Sequence, residues 1–176
     1  MSIITTKRLI LRPIKWKDVA DYNEYASIPN IGYMSGWRPH SSRLDTLVAI
    51  KNLKESQGHY AIEFENKMIG TASIQPDDKR LGLKALMLGY SINPAYHNKG
   101  IATEVAFALI RKAFTMNYDT VAGYCYPENE ASKKVLKKAG MEFEGILKQS
   151  YKLYNGEVKD IECYLITREM YEKNGE

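Results

Sequence analysis

At 176 residues the chain has the length of one domain and can bury a full hydrophobic core. With 44% hydrophobic and 26% charged residues it reads as an ordinary globular protein rather than a disordered or low-complexity one. No apolar run approaches the roughly 20 residues that span a bilayer. The start, Met1-Ser-Ile-Ile-Thr-Thr-Lys-Arg8, lacks the basic-then-apolar layout of a secretory signal. A net charge of +4, from dispersed lysines without a matching aromatic stacking motif, gives little support to a nucleic-acid binder. Cys125 and Cys163 lie in apolar strand-like runs and read as buried free thiols of a reducing cytoplasm, the alternative being a disulfide between them. The histidines and cysteines show no metal-ligand spacing, and no P-loop motif occurs.

In chain order, Leu9 and Leu11 alternate with Ile10 and Arg12, as in a strand that ends at Pro13. Residues 17–26 read as a short helix. Residues 28–40 are broken by Pro and Gly and read as an irregular loop that carries Tyr33, Trp37, Arg38 and His40. Loops with such groups line binding sites, so Tyr33 and Trp37 are expected to meet substrate. Ser41 or Ser42 caps a second helix, with Leu44, Leu47, Val48 and Leu53 on its apolar side. Residues 60–64 and 68–74 form a hairpin around Asn66-Lys67, and a polar connection leads to a strand at 86–92.

Pro94 stops that strand, and a short polar loop, His97-Asn98-Lys99-Gly100, opens into the clearest helix of the chain. Ala102, Val105, Ala106, Leu109, Ile110, Ala113 and Phe114 follow a 3.6-residue repeat, while Thr103, Glu104, Arg111 and Lys112 fall elsewhere. The first turn of a helix has N–H groups without intrahelical partners, and the helix dipole is positive there. A glycine that permits close approach completes a phosphate site. Further on, 121–126 is a short strand and Asn129 caps a helix that stops at Gly140. Residues 144–154 and 157–166 flank the hairpin signal Asn155-Gly156. The pattern predicts a single α/β (α+β) domain over residues 1–176, with about seven strands and about four helices.

Four blocks, in order, carry a family resemblance. His97-x-x-Gly100-x-Ala102 resembles the Gln/Arg-x-x-Gly-x-Gly/Ala signature with which GNAT-superfamily N-acetyltransferases hold the acetyl-CoA pyrophosphate. Thr6-Lys-Arg-Leu-Ile-Leu-Arg12, Asn129-Glu-Ala-Ser132 through Gly140-Met141, and Asn155-Gly-Glu-Val-Lys-Asp160 are similar to the branch of the Rim-type ribosomal-protein alanine acetyltransferases and the spermidine acetyltransferases. The resemblance implies a mostly antiparallel sheet with a splayed central strand pair. It also implies a cofactor site for acetyl-CoA at Ser91, Ile92, Asn93, His97, Asn98, Lys99, Gly100, Ile101, Ala102, Thr103 and Asn129. Asn129 would hydrogen-bond the pantetheine, or it is a plain helix cap. Lys137 or Lys138 would reach the ribose phosphate, or these lysines are a solvated face.

The chain departs from the family at three points. His97 stands where Gln or Arg is usual, Leu136 where many relatives place an acidic Tyr, and Met87 where relatives often carry a Glu base. Ser132 lies four residues before Leu136 on the same helical face, as in Rim-type enzymes, where a Ser has been taken as the partner of the leaving thiolate. Ser132 is therefore the candidate catalytic residue; the alternative is a capping role. For the base, Glu63, Glu65, Glu104, Asp160 and Glu162 are the candidates, and for an alternative acid Tyr124, Tyr126, Tyr151 and Tyr164. The expected activity is acetyl transfer to a protein or peptide N-terminal α-amine. The alternatives are a small amine such as a polyamine, amino acid or antibiotic, or a non-catalytic acyl-CoA sensor. The tyrosines between 151 and 164 would serve a homodimer contact.

Overall fold

The computed structural model describes residues 2–173. In chain order they form β1 (Ile4–Thr5), β2 (Ile10–Arg12), a 3-10 turn (Trp16–Asp18), α1 (Val19–Ala26), α2 (Pro29–Ser35), α3 (Arg43–Glu55), β3 (His59–Phe64), β4 (Lys67–Pro76), β5 (Ala85–Ile92) and a second 3-10 turn (Pro94–Tyr96). Then follow α4 (Ile101–Thr115), β6 (Thr120–Cys125), α5 (Glu130–Lys138), β7 (Glu142–Lys152), β8 (Val158–Thr167) and α6 (Arg168–Lys173). The fold is mixed α/β, and its hydrogen-bonded strand order is β1-β2-β3-β4-β5-β6-β8-β7. The described residues hold eight strands, not about seven, because the short β1 escapes any periodicity. They hold six α-helices, not about four. One of the additions, α2, lies inside the stretch read as a loop: Pro29 starts the helix, and Gly36 ends it in the left-handed conformation at φ 82°.

The chain clusters into two compact units, Met1–Ser73 with Tyr90–Val105 and Ile74–Gly89 with Ala106–Glu176. In the first unit β1, β2, β3 and β4 are paired antiparallel in that order. Glu65 and Asn66 both take positive φ, which is the twist a tight β3–β4 hairpin requires. A core of Ile14, Val19, Tyr22, Tyr25, Ala26, Ile50, Ala61 and Met68 binds α1 and α3 to these strands. Two expectations fail here. On α3 the buried residues are Thr46 and Ile50, while Leu44, Leu47 and Val48 are exposed. Thr46 Oγ1 accepts from Asn23 Nδ2 at 2.7 Å and meets His40 Nδ1 at 3.0 Å, so distant partners set the helix register. Arg12, expected to alternate outward, is buried between Asp18 and Glu63.

A close approach inside the first unit shapes the end of β5. A Cβ on Gly70 of β4 would collide with the carbonyl oxygen of Ser91 on β5. Gly70→Ala is therefore expected to cost about 1–3 kcal/mol, because backbone cannot step aside as a side chain can. A urea midpoint shifted downward with an unchanged slope would show it.

In the second unit β5 pairs parallel with β6, and β6, β8 and β7 continue antiparallel. A parallel pair needs a crossover, and α4 supplies it. The β5–β6 register runs only from Ala85↔Thr120 to Leu88↔Gly123, although β6 extends to Cys125. Leu136 of α5 is fully buried against Gly123, where a Cβ would come within 2.5 Å of it. Cys125 and Cys163 are buried free thiols. Cys125 stands opposite Glu162 and Cys163 opposite Tyr124, so the pleat sends the two sulfurs to opposite faces. Tyr164 is buried, unlike Tyr151, and is no part of an exposed tyrosine surface. No helix among the described residues is long and apolar enough to cross a membrane.

Candidate active site

The candidate phosphate loop lies wholly in the first unit. Asn93, buried at the end of β5, folds it: its Oδ1 accepts from the Ala95 amide at 3.0 Å and its Nδ2 donates to Glu24 Oε1 at 2.9 Å. His97 Nε2 meets the Ile92 carbonyl at 2.9 Å, so the imidazole is spent on the strand end. Asn98 at φ 60° and Gly100 at φ 73° then alternate with ordinary residues. Such alternation turns successive amides toward one concavity, a nest suited to an anion. The first intrahelical bond of α4 runs from the Glu104 amide to the Gly100 carbonyl at 3.0 Å. Among the described residues, the amides of Asn98, Lys99, Gly100, Ile101, Ala102 and Thr103 have no acceptor. The helix behind them runs for 15 residues.

Two further features fit a phosphorylated, amide-bearing ligand. Gly100 leaves room in front of these amides, since only Arg8 Nη2, at 3.7 Å, comes near the position of a Cβ. The Ser91 hydroxyl is buried at the end of β5 and has no hydrogen-bond partner among the described residues. A buried hydroxyl without a partner carries a desolvation cost that a bound polar group can relieve.

The second group of candidates lies in the second unit. Asn129 Oδ1 caps α5 by accepting from the Ser132 amide at 3.1 Å. Beside α5, burial and the charge of Glu162 push the Cys125 thiol up to about 12, with Ser132 acting in the opposite direction. Lys133 Nζ lies 2.9 Å from both Glu130 and Glu162, and the Tyr164 hydroxyl donates to Glu162 at 3.0 Å. Leu136, where relatives place a Tyr acid, is core.

The structure pairs most of the candidate bases with a cation. Glu63 is bound by Arg12 at 2.5 Å, Glu104 by Arg8 at 2.7 Å, Asp160 by Lys148 at 2.8 Å and Glu162 by Lys133 at 2.9 Å. Burial would raise the Glu104 carboxyl, but hydrogen bonds from Thr6 and Arg8 hold it below the ordinary range. Glu65 sits in the β3–β4 turn. Among the alternative acids, Tyr124 donates to the buried Asp77 at 2.7 Å and accepts from Arg80, and burial beside that carboxylate raises its pKa. Tyr126 and Tyr151 meet as a tilted ring pair, with centroids 6.0 Å apart and planes at 50°.

Tyr33 lies on α2, and the Trp37 amide donates to the Gly32 carbonyl at 3.0 Å just beyond it. The indole Nε1 of Trp37 is buried without a partner among the described residues. His40 is held by its ring contact with Tyr22 and by Thr46, and burial lowers its pKa. Sequence reasoning gave no role to Thr6 and Arg8, which hold Glu104 at the start of α4. Their signal was the Thr-x-Arg spacing in the N-terminal block.

Comparisons with known proteins place the chain in a family. The family model described as "Acetyltransferase (GNAT) domain" matches residues 8–142. An uncharacterized N-acetyltransferase of Bacillus subtilis (strain 168), YnaD, is 32% identical over 149 residues, covering 83% of this chain and 86% of that protein. The [ribosomal protein uS5]-alanine N-acetyltransferase of Escherichia coli (strain K12) is 29% identical over 174 residues, covering 89% and 86%. The crystal structure of a GNAT-family acetyltransferase from Bacillus anthracis superposes with a TM-score of 0.86 at 27% identity, covering 96% of this chain and 99% of that one. The fold, the family model and the relatives converge: the chain belongs to the GNAT acetyltransferases and is an N-acetyltransferase.

Proposed function

We propose that this enzyme uses acetyl-CoA to acetylate the N-terminal α-amine of a protein or peptide, as one Rim-type domain over residues 1–176. The observation that carries the acceptor is the occupancy of the carboxylates. Glu63, Glu104, Asp160 and Glu162 each face a cation of the protein, so each is already engaged in an ion pair rather than held ready for the incoming amine. A lysine-like amine costs on the order of 4–5 kcal/mol to deprotonate at pH 7, an α-amine only about 1.4 kcal/mol. A site without a dedicated base favours the second. The similarity to the uS5-alanine enzyme supports the same choice.

Acetyl-CoA supplies the activated acetyl thioester. The free amides of Asn98, Lys99, Gly100, Ile101, Ala102 and Thr103 would hold its pyrophosphate, and Ser91, with the backbone of Ile92 and Asn93, its pantetheine. His97 shapes the loop through its bond to the strand end rather than through the ligand. Asn129 holds the first turn of α5, so Ser132 is presented from a fixed helix start. The Ser132 hydroxyl is the group we assign to the departing thiolate; Tyr33 and Trp37 would line the acceptor side.

Thiol release from acetyl-CoA against N-terminal peptides, polyamines and aminoglycosides tests the acceptor. Turnover is expected with peptides carrying a free α-amine. Turnover confined to polyamines or aminoglycosides would select the small-amine reading, and no turnover with any amine would favour an acyl-CoA sensor. For the catalytic role, Ser132→Ala is expected to lower kcat by about tenfold to a hundredfold, as for a weak general acid. Acetyl-CoA affinity should stay at the parent value, because the bond strengthens only in the transition state. A variant that turns over at the parent rate, with unchanged circular dichroism, would leave Ser132 without a catalytic role.

A further inference from the structure

Glu104 presents a difficulty that the N-terminal segment resolves. It stands in the first turn of α4, where a bare carboxylate would repel an anion held by the neighbouring amides. Thr6 Oγ1 donates to its Oε1 at 2.6 Å, the Arg8 amide donates to the same oxygen at 3.0 Å, and Arg8 Nε donates to Oε2 at 2.7 Å. Arg8 Nη1 donates to the Lys99 carbonyl at 2.9 Å, inside the loop itself. These bonds leave from two different sides of the guanidinium and fix its plane. The remaining nitrogen, Nη2, has no acceptor among the described residues and lies 3.7 Å from where a Gly100 Cβ would stand. The side chain as a whole is 38% exposed. Lys99, the cation that the loop itself carries, holds its ammonium over the Tyr96 ring at 5.1 Å from the centroid.

We propose that Arg8 is a phosphate-site residue. It neutralises Glu104, holds the Lys99–Gly100 peptide in place through the Lys99 carbonyl, and offers Nη2 to a phosphate of the acetyl-CoA pyrophosphate. This rests on the reading of the loop amides as the pyrophosphate site. Arg8 acts on the phosphorylated end of the ligand alone, so its loss is felt by nucleotide thioesters and not by a thioester that lacks phosphate. Lysine cannot replace it, because one ammonium cannot serve Glu104, the Lys99 carbonyl and a phosphate in a fixed plane.

The test compares acetyl-CoA with S-acetylpantetheine, which carries the same thioester without phosphates. Arg8→Ala is expected to weaken acetyl-CoA binding by about tenfold to a hundredfold, the scale of a lost charged hydrogen bond. KM for S-acetylpantetheine should stay unchanged. Arg8→Ala/Glu104→Gln should recover part of the affinity, since the uncompensated carboxylate is gone. Arg8→Lys, the milder variant should Arg8→Ala fail to fold, is still expected to bind at least about fivefold more weakly. Parent-like acetyl-CoA affinity in both Arg8→Ala and Arg8→Lys would overturn the proposal, as would an equal loss for the two thioesters. Gly100→Glu separates the two levels. If it abolishes binding while the Arg8 variants bind normally, only the role of Arg8 falls; if it too binds normally, the pyrophosphate reading falls with it.

Discussion

Gly100→Glu is expected to abolish acetyl-CoA binding while the protein stays folded. Gly100 sits at φ 73° among the six consecutive amides that have no acceptor, with no atom but Arg8 Nη2 within 4 Å of a prospective Cβ. A side chain there meets open space, so its folding cost is the left-handed backbone, about 1 kcal/mol relative to glycine. Its effect on an anion is far larger. The new carboxylate would stand in front of the amides and draw Arg8 Nη2 to itself, replacing a favourable dipole and cation with a like charge. Gly100→Ala isolates the backbone term and should bind only a few-fold more weakly, about 1 kcal/mol or less. Calorimetric titration of both variants, with circular dichroism as the folding control, measures the difference. A Gly100→Glu protein with parent affinity would remove the phosphate site from this loop.

The second large effect concerns stability. Arg12→Ala is expected to destabilise the protein by about 3–5 kcal/mol, the cost of stranding a buried charge. Asp18 is buried and accepts from both terminal nitrogens of Arg12 at 2.8 Å, and from the Lys15 amide at 2.7 Å. Glu63 accepts from Arg12 Nε at 2.5 Å, so two carboxylates lose one cation. Against a typical total of about 5–15 kcal/mol, the variant would be close to unfolding.

The pH dependence gives the loss a signature. Burial would raise the Asp18 carboxyl, but hydrogen bonds from Arg12 and the Lys15 amide outweigh it and hold the pKa below the ordinary value. A depressed folded-state pKa contributes stability that is complete above the unfolded value, about 3.9, and fades as pH falls through the folded one. Without Arg12 the burial effect dominates and the sign reverses: protonation of Asp18 on acidification becomes favourable in the folded state. The stability gap between parent and Arg12→Ala, read from urea titrations, should therefore narrow as pH falls from 7 toward 4. A gap independent of pH would exclude the stranded carboxylate as its cause.

Much of the candidate site was legible because its signals are local. Pro94, Gly100 and the repeat from Val105 to Phe114 lie within one loop and one helix, and each residue's role follows from neighbours a turn away. The Asn129 cap is equally local, since its side chain reaches only to the Ser132 amide. The second helix misled for the opposite reason. Leu44, Leu47 and Val48 lie exposed, while Thr46 is buried, because Asn23 and His40 satisfy its hydroxyl. No pattern within residues 43–55 encodes that partner. Arg12 defeated strand alternation in the same way: its inward course is offset by carboxylates 6 and 51 residues distant.

What the sequence determined by itself was therefore most of the elements, though neither β1 nor α2, together with the glycine of the loop, the capped helix that carries Ser132, and the family. These depend on backbone geometry and hydrophobic period, which are properties of contiguous residues. Only the tertiary structure decided which charged groups are already engaged. It paired Glu104 with Thr6 and Arg8, 98 and 96 residues away, and it placed a cation on each of Glu63, Asp160 and Glu162. A carboxylate's chemistry is set by the charge a few ångströms from it. Which charge stands there is settled by chain crossings that no local pattern records.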